Sequence, residues 1–319
     1  MPVNRDKPDL WKADIAKSVD TYNHWFLRFA PKAFRETRNK TTGIVEEALK
    51  ATHNLTDVRP SALKARPGVL ATLRMCTCPP LARDRLAGLA MVSRNLVERM
   101  ECGALPHNVS RESLDADLRK IGNIVKRLAD RDILTWLETA STPTDAEVRR
   151  AATIIADRLC GATADPIIRN AQESRQLDLI GRWLRSRGYT LAKKEPHVGP
   201  DRMKPGTYAF RMNIPATLEE GARKVKIPVD AAVMPKEAKP RMMPLLLEAK
   251  SAGDFANVNK RRKEEAQKVA QLRAAYGPSI RYVLLIGGYF DTGYLGYEAA
   301  EGIDWVWEHR VDDLEKLGL

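Results

Sequence analysis

Apolar residues recur along the first half of the chain at helical spacing. Ile15, Val19, Tyr22, Phe26 and Phe29 fall four and three residues apart and form one stripe, with Pro31 expected to close that helix. Further helical patterns cover Leu81 to Met100, Ser113 to Leu137 (Leu114, Leu118, Ile121, Val125, Leu128) and Thr144 to Leu159, the last opened by the cap-like TPTD. After Cys160 the texture changes. A helix from Ile167 to Arg187 runs into Gly188, and strand-like runs follow at Tyr208 to Ile214, Val225 to Val233, Leu245 to Lys250 and Tyr282 to Ile286. One more helix, Val258 to Tyr276, separates the last two. This order predicts an α/β (α+β) domain with a central mixed sheet flanked by helices, residues 161–319, behind an all-helical region, residues 1–160.

The run LLLEAKSAGD, Leu245 to Asp254, breaks its own pattern. Alternation along a strand puts Glu248 and Lys250 on one face with Leu246, and Leu245, Leu247 and Ala249 on the other. A core strand thus ends with a carboxylate and an ammonium on one face, about 6 to 7 Å apart. The preceding strand, KIPVDAAVM, carries Asp230 at its apolar centre, where an isolated carboxylate needs a cation. Two carboxylates converging from adjacent strands suit Mg²⁺, which prefers oxygen ligands and keeps water and phosphate oxygens in its shell. A neighbouring lysine orients or deprotonates the attacking water. The metal stabilises charge on the phosphate and on the leaving 3′ oxygen, and the chemistry is phosphodiester hydrolysis.

A third carboxylate follows from periodicity. Glu173 lies four residues before Leu177 on the stripe Leu177, Ile180, Leu184, so it is expected to face the sheet as a metal or water ligand, or to bond a nearby arginine such as Arg169. In NKRRKEEAQKVAQL, counting back from Val269 and Tyr276 places Arg262 and Glu265 on the buried side, while Lys260, Arg261 and Lys263 fan around the first turn. Cations there oppose the helix dipole unless an anion such as a DNA phosphate is near; the plainer alternative is an exposed cluster offset by Glu264 and Glu265.

Composition narrows the partners. The 319 residues are 44% hydrophobic, which suits a folded globule, and carry a formal charge of +12 with a pI near 9.6, which favours a polyanionic partner. From Glu298 onward seven acids oppose Arg310 and Lys316, a balance of −5, so the rest of the chain carries +17 and a DNA-facing surface lies outside this tail. Between Arg28 and Arg66 nine Lys or Arg oppose four acids, either a solvated helical face or an arm along phosphates. No apolar window approaches a membrane span, the segment Met1 to Trp11 has no signal-peptide core, and the chain reads as cytoplasmic. Cys76, Cys78 and Cys102 with His107 lack the usual zinc-knuckle spacing and read as helix-packing thiols, together with Cys160. His24, His53, His107, His197 and His309 are too scattered for HNH chemistry.

An acid on one strand, E-x-K at the end of the next and a basic helix after it form the pattern of the PD-(D/E)XK nucleases. With these residues in view, WKADIAKSVDTYNHWFLRFAPKAFRETR, VDAAVMP, LLLEAKSAGDF and NKRRKEEAQKV together resemble the XamI-type type II restriction endonucleases over nearly the whole chain. The resemblance implies a PD-(D/E)XK restriction-endonuclease-like core with a helical region for DNA binding and dimerisation. It also implies Mg²⁺-dependent double-strand cleavage at a short palindrome, with Mn²⁺ as substitute metal, a two-fold homodimer on double-stranded DNA, and a companion DNA methyltransferase. Position by position, Asp230 matches the first acid, Glu248 the second and Lys250 the lysine, and Ala249 would lend its backbone carbonyl to the metal. Val229 stands where the family signature has proline, with Pro228 one position earlier. Two alternatives share these residues: a structure-specific or repair nuclease on the same fold, and a non-catalytic DNA-binding protein. Candidates for base readout are the segment His197 to Arg211 and the helical region.

Overall fold

The computed structural model describes residues 2–139, 141–192, 200–218, 223–255 and 258–319, with backbone alone at 162, 163, 165, 218, 223, 224 and 258–262. The helices are α1 (Pro8–Ala51), α2 (Pro60–Ala65), α3 (Leu70–Met75), α4 (Arg83–Ala90), α5 (Arg94–Glu101), α6 (Arg111–Leu128), α7 (Trp136–Thr139), α8 (Asp145–Ser186), α9 (Val258–Tyr276) and α10 (Thr292–Ala300). The strands are β1 (Thr190–Leu191), β2 (Thr207–Leu218), β3 (Arg223–Val233), β4 (Leu245–Ala252), β5 (Tyr282–Gly288) and β6 (Asp304–Trp307). Among the described residues no helix is long and apolar enough to cross a membrane.

The chain divides into two compact units, one of residues 1–29 with 169–319 and one of residues 30–168. The change of texture at residue 160 therefore does not coincide with the division, because α1 and α8 each belong to both units. Pro31 does not end α1, and Pro166 lies inside the 42-residue α8. A helical proline leaves the carbonyl four residues earlier without its donor. At α1 that carbonyl belongs to Leu27, 71% exposed, where water can replace the lost bond. Each proline lies beside a boundary between the units.

The unit of residues 30–168 is all helical, with α6 as its centre: Leu118, Ile121 and Val125 are fully buried. The helical stretch expected from Leu81 to Met100 is two helices, because Met91 takes the left-handed conformation (φ 51°) and Ser93 caps α5 by accepting from the Leu96 N–H. Helix α6 stops at Leu128 rather than Leu137, since the Asp130 N–H turns to the Cys76 carbonyl and its carboxylate pairs with Arg158 at 2.8 Å. The TPTD start is a capping box: the Glu147 carboxylate accepts the Thr144 N–H at 2.8 Å, and Thr144 Oγ1 accepts the Glu147 N–H at 3.3 Å. Cys76 and Cys160 are buried in this unit, whereas Cys78 and Cys102 are exposed.

The other unit is built on a six-stranded mixed sheet of order β1-β2-β3-β4-β5-β6. Strands β2, β3 and β4 are antiparallel, and β4, β5 and β6 are parallel. One face packs Leu246, Leu284, Ile286 and Trp305 with Val269 and Leu272 of α9 and Tyr294 and Leu295 of α10. The opposite face packs Leu245, Leu247, Val283 and Leu285 with Leu177, Ile180 and Leu184 of α8. Strand β6 and α10 went unread in the sequence; β6 and the end of α10 lie within the acidic tail. Asp304 in fact draws in the N-terminus, accepting the backbone N–H of Val3, of Asn4 at 3.0 Å and of Arg5 at 3.1 Å. Trp11 packs edge-on against Trp305 at 5.5 Å, and Ser18 Oγ accepts the Gly288 N–H at 2.8 Å. These contacts explain why the first 29 residues belong with the sheet.

Candidate active site

Strands β3 and β4 are paired through Ala231↔Leu247 and then part. The next positions in that antiparallel register are Asp230 and Glu248. Where the ladder ends, the Ala249 N–H loses a backbone acceptor, and Asp230 Oδ2 takes it at 2.8 Å. The N–H and C=O of a strand residue leave on the same edge, so the Ala249 carbonyl points to the side where Asp230 stands.

Asp230 sits at a slip in the alternation. Beyond it, Ala231 and Val233 face α8 while Ala232 and Met234 face α9; before it, Val229 and Ile227 both belong to the α9 side. In β2 the same slip falls at Arg211: Tyr208 and Phe210 pack toward α8, Met212 and Ile214 toward α9. The β2–β3 register sets Arg211 opposite Asp230, and Arg211 takes φ +52°, a left-handed conformation rare outside glycine. The double slip turns Asp230 toward the free edge of β4 instead of into either core.

Glu248 and Lys250 do share the Leu246 face, and α9 meets them there with charges in reverse order. Glu248, 6% exposed, accepts from Lys268 Nζ at 2.7 Å and lies 3.1 Å from Lys250 Nζ, both through Oε1. Its Oε2 is buried with no hydrogen-bond partner among the described residues. Lys250 Nζ is also 2.9 Å from Oε1 of Glu265, which is 1% exposed. Behind them Glu298 is fully buried.

Burial and mutual charge set the protonation of this group. Burial, then the Glu248 charge, pushes the Asp230 carboxyl up to about 6, against the pull of the Ala249 N–H and Lys250. For Lys250 burial acts downward, but Glu248 and Glu265 together outweigh it, so the ammonium is held above its ordinary range. Burial raises Glu265 despite Lys250. Glu298 is pushed up to about 8, by burial first and the Glu265 charge second, and so keeps its proton at neutral pH.

The structure thus brings Asp230, Glu248, Ala249 and Lys250 together. Glu173 stands apart. On α8 it pairs with Arg211 at 3.0 Å, the side chains 40% and 63% exposed; it reaches Asp230 through its charge, which adds to the rise of that carboxyl. Its partner is Arg211 rather than Arg169, since the slip in β2 turns Arg211 toward α8. Among the described residues no three His, Cys, Asp or Glu side chains gather as a metal cluster. Of the basic helix start, Lys263 is exposed. The side chains of Lys260, Arg261 and Arg262 lie outside the described residues, as does the stretch 197–199 of the expected readout segment.

Three participants escaped sequence reasoning. Lys268 looks like any solvent-facing helical lysine, although its spacing of three from the buried Glu265 puts both on one face. Glu298 sits in an acid-rich tail that reads as solvated. Gln176, 1% exposed on α8, donates to the Lys250 carbonyl at 3.1 Å and to the Leu285 carbonyl at 3.4 Å, fixing the strand end just past the lysine. A Cβ on the neighbouring Gly287 would meet Glu308 Oε2 at 2.2 Å and Gln176 Nε2 at 3.4 Å, so the Glu308 side chain would have to shift to admit one.

Comparison with known proteins bears on this site. No solved structure matches the chain. The chain is similar to the type II restriction enzyme SalI of Streptomyces albus G, 50% identical over 316 residues that cover 99% of each chain. The profile of the XamI restriction endonuclease family matches residues 53–307, a span that includes Glu173, Asp230, Glu248, Lys250, Glu265 and Lys268. A full-length relative and a family match across the sheet and its charged strand end agree, and the chain belongs to the XamI restriction endonuclease family.

Proposed function

We propose that this restriction endonuclease hydrolyses DNA phosphodiesters at the parted ends of β3 and β4, on a core of the PD-(D/E)XK type. The observation that carries the reading is the meeting of Asp230, Glu248 and Lys250 beside a Glu248 Oε2 that has no hydrogen-bond partner among the described residues. Such a buried acceptor, next to a second carboxyl that burial makes reluctant to ionise, forms a pair that a divalent cation would satisfy. Asp230, Glu248 and the Ala249 carbonyl are the groups that would hold Mg²⁺, or Mn²⁺ in its place. When bound, the ion supplies charge neutralisation at the phosphate and an acidified water.

The protein's own part is positioning. Lys250, kept an ammonium by two carboxylates, acts as a proton donor and charge stabiliser toward water or phosphate rather than as a base. Gln176 holds the backbone that carries it. Glu173 keeps Arg211 against α8 opposite Asp230.

The remaining assignments extend from this site. The helical unit contributes DNA binding: Arg38, Asn39, Thr42, Thr153, Asp157 and Arg158 line one shallow groove, and Arg149 and Arg150, with Asp145, line another that shares Thr153. Arginine and hydroxyl side chains in this arrangement suit phosphates. A two-fold homodimer would match a palindromic site, with a companion methyltransferase guarding the same sequence in the cytoplasm of a prokaryotic host. Digestion of supercoiled plasmid with Mg²⁺, followed by sequencing of the fragment ends, tests this reading. The expected result is a fixed set of fragments whose ends map to one two-fold symmetric sequence. Random ends, or cutting confined to branched DNA, would replace it with another nuclease activity on this fold, and binding without cutting would make the chain a DNA-binding protein.

A further inference from the structure

Strand β4 offers Glu248 and Lys250 two residues apart, and α9 offers Glu265 and Lys268 three residues apart on its inner face. The two pairs meet with opposite order: Lys268 on Glu248 at 2.7 Å, Glu265 on Lys250 at 2.9 Å, and the two strand residues 3.1 Å from each other. Glu248 and Glu265 are 6% and 1% exposed, and the lysine side chains 20% and 19%. Surface lysines seldom hold one geometry, but a lysine whose carboxylate partner is buried has no comparable alternative in water for that partner.

We propose that Glu265 and Lys268 are positioning residues of the hydrolytic site, acting through Lys250 and Glu248 respectively, and that Lys268, seated on Glu248 Oε1, is the resident counter-cation against whose charge a divalent ion binds the same carboxylate. The proposal rests on the reading of Asp230 and Glu248 as the divalent-ion pair. Lys268 occupies one oxygen of Glu248 and keeps the carboxylate oriented while no ion is bound. Glu265 divides the attention of Lys250. With Glu265 in place the ammonium lies between two carboxylates; without it, Lys250 is left to Glu248 alone and becomes a stronger competitor for the same oxygens.

The two helix residues should therefore move divalent-ion affinity in opposite directions. A charge-assisted hydrogen bond is worth about a factor of ten in an equilibrium constant. Titration calorimetry with Mn²⁺ alone on the full-length protein is the test, with Asp230→Asn as the control that locates the ion. Lys268→Gln should bind Mn²⁺ roughly tenfold tighter than the parent and Lys268→Arg about as the parent does, while Glu265→Gln should bind it several-fold more weakly. Both Gln variants lose a buried charge partner, so a merely structural role would weaken binding in both. Unchanged or weaker binding in Lys268→Gln, with the parent protein still binding at an Asp230-dependent site, overturns the proposal alone. Absence of Asp230-dependent binding in the parent and in Lys268→Gln overturns the divalent-ion reading together with it. Binding gained only in Lys268→Gln supports both.

Discussion

Replacing Asp230 by asparagine should make the ion-free protein more stable while removing its activity. In the fold the Asp230 carboxyl is raised from 3.8 to about 6, by burial and then by Glu248. A group whose pKa is higher folded than unfolded binds more protons in the folded state between the two values, so stability falls as pH rises through that window and the penalty is complete above it. A rise of about two units at about 1.36 kcal/mol each sets a ceiling near 3 kcal/mol at neutral pH. Asparagine cannot ionise but keeps a carbonyl oxygen for the Ala249 N–H, so the variant sheds the penalty without orphaning the donor. In EDTA near pH 7.5 the gain should be about 1 to 3 kcal/mol, or roughly 3 to 8 °C for a unit of this size. Near pH 4, where the folded parent also holds the proton, the gain should shrink toward zero. Urea and thermal unfolding of both proteins at the two pH values measure it. Equal or lower stability of Asp230→Asn near neutrality, or a gain that persists unchanged in acid, would show that the buried Asp230 charge does not destabilise the fold.

Two other outcomes follow from the same geometry. Glu173→Gln should leave single-turnover cleavage within about tenfold of the parent, because its partner is a half-exposed arginine; a loss beyond about a thousandfold would make it a direct ligand. Replacing both Arg149 and Arg150 by alanine should weaken binding of specific and random duplexes alike and flatten the logarithmic salt dependence by about two, the number of phosphate contacts removed; an unchanged slope would take DNA off this groove.

What could be read from the sequence was whatever regular periodicity carries. The runs that became β4 and β5 are apolar on both faces, as strands covered by helices on each side must be, and Glu248 and Lys250 emerged on the face that alternation assigned. The inward turn of Glu265 followed from counting along α9. Alternation failed where it is broken: nothing in KIPVDAAVM announces that β3 slips at Asp230, and nothing in β2 announces that Arg211 adopts a positive φ opposite it. Pro31 misled in the other direction, since it sits inside α1, and the two helices expected at Thr144 to Leu159 and Ile167 to Arg187 run together as α8 through Pro166. Lys268 and Gln176 were illegible for a different reason. Each is polar and ordinary in its own helix, and only the partner across the fold, Glu248 for one and the Lys250 carbonyl for the other, gives it a task.

Asp230 and Lys250 are proposed to act on the scissile phosphate and not on the affinity for DNA. Cleavage of a plasmid under single-turnover conditions, measured beside duplex binding for Asp230→Ala and Lys250→Ala, tests it most directly. The parent should give fixed fragments and both variants should bind duplex without cutting it; cutting by either variant at the parental rate would take that residue out of the hydrolytic step.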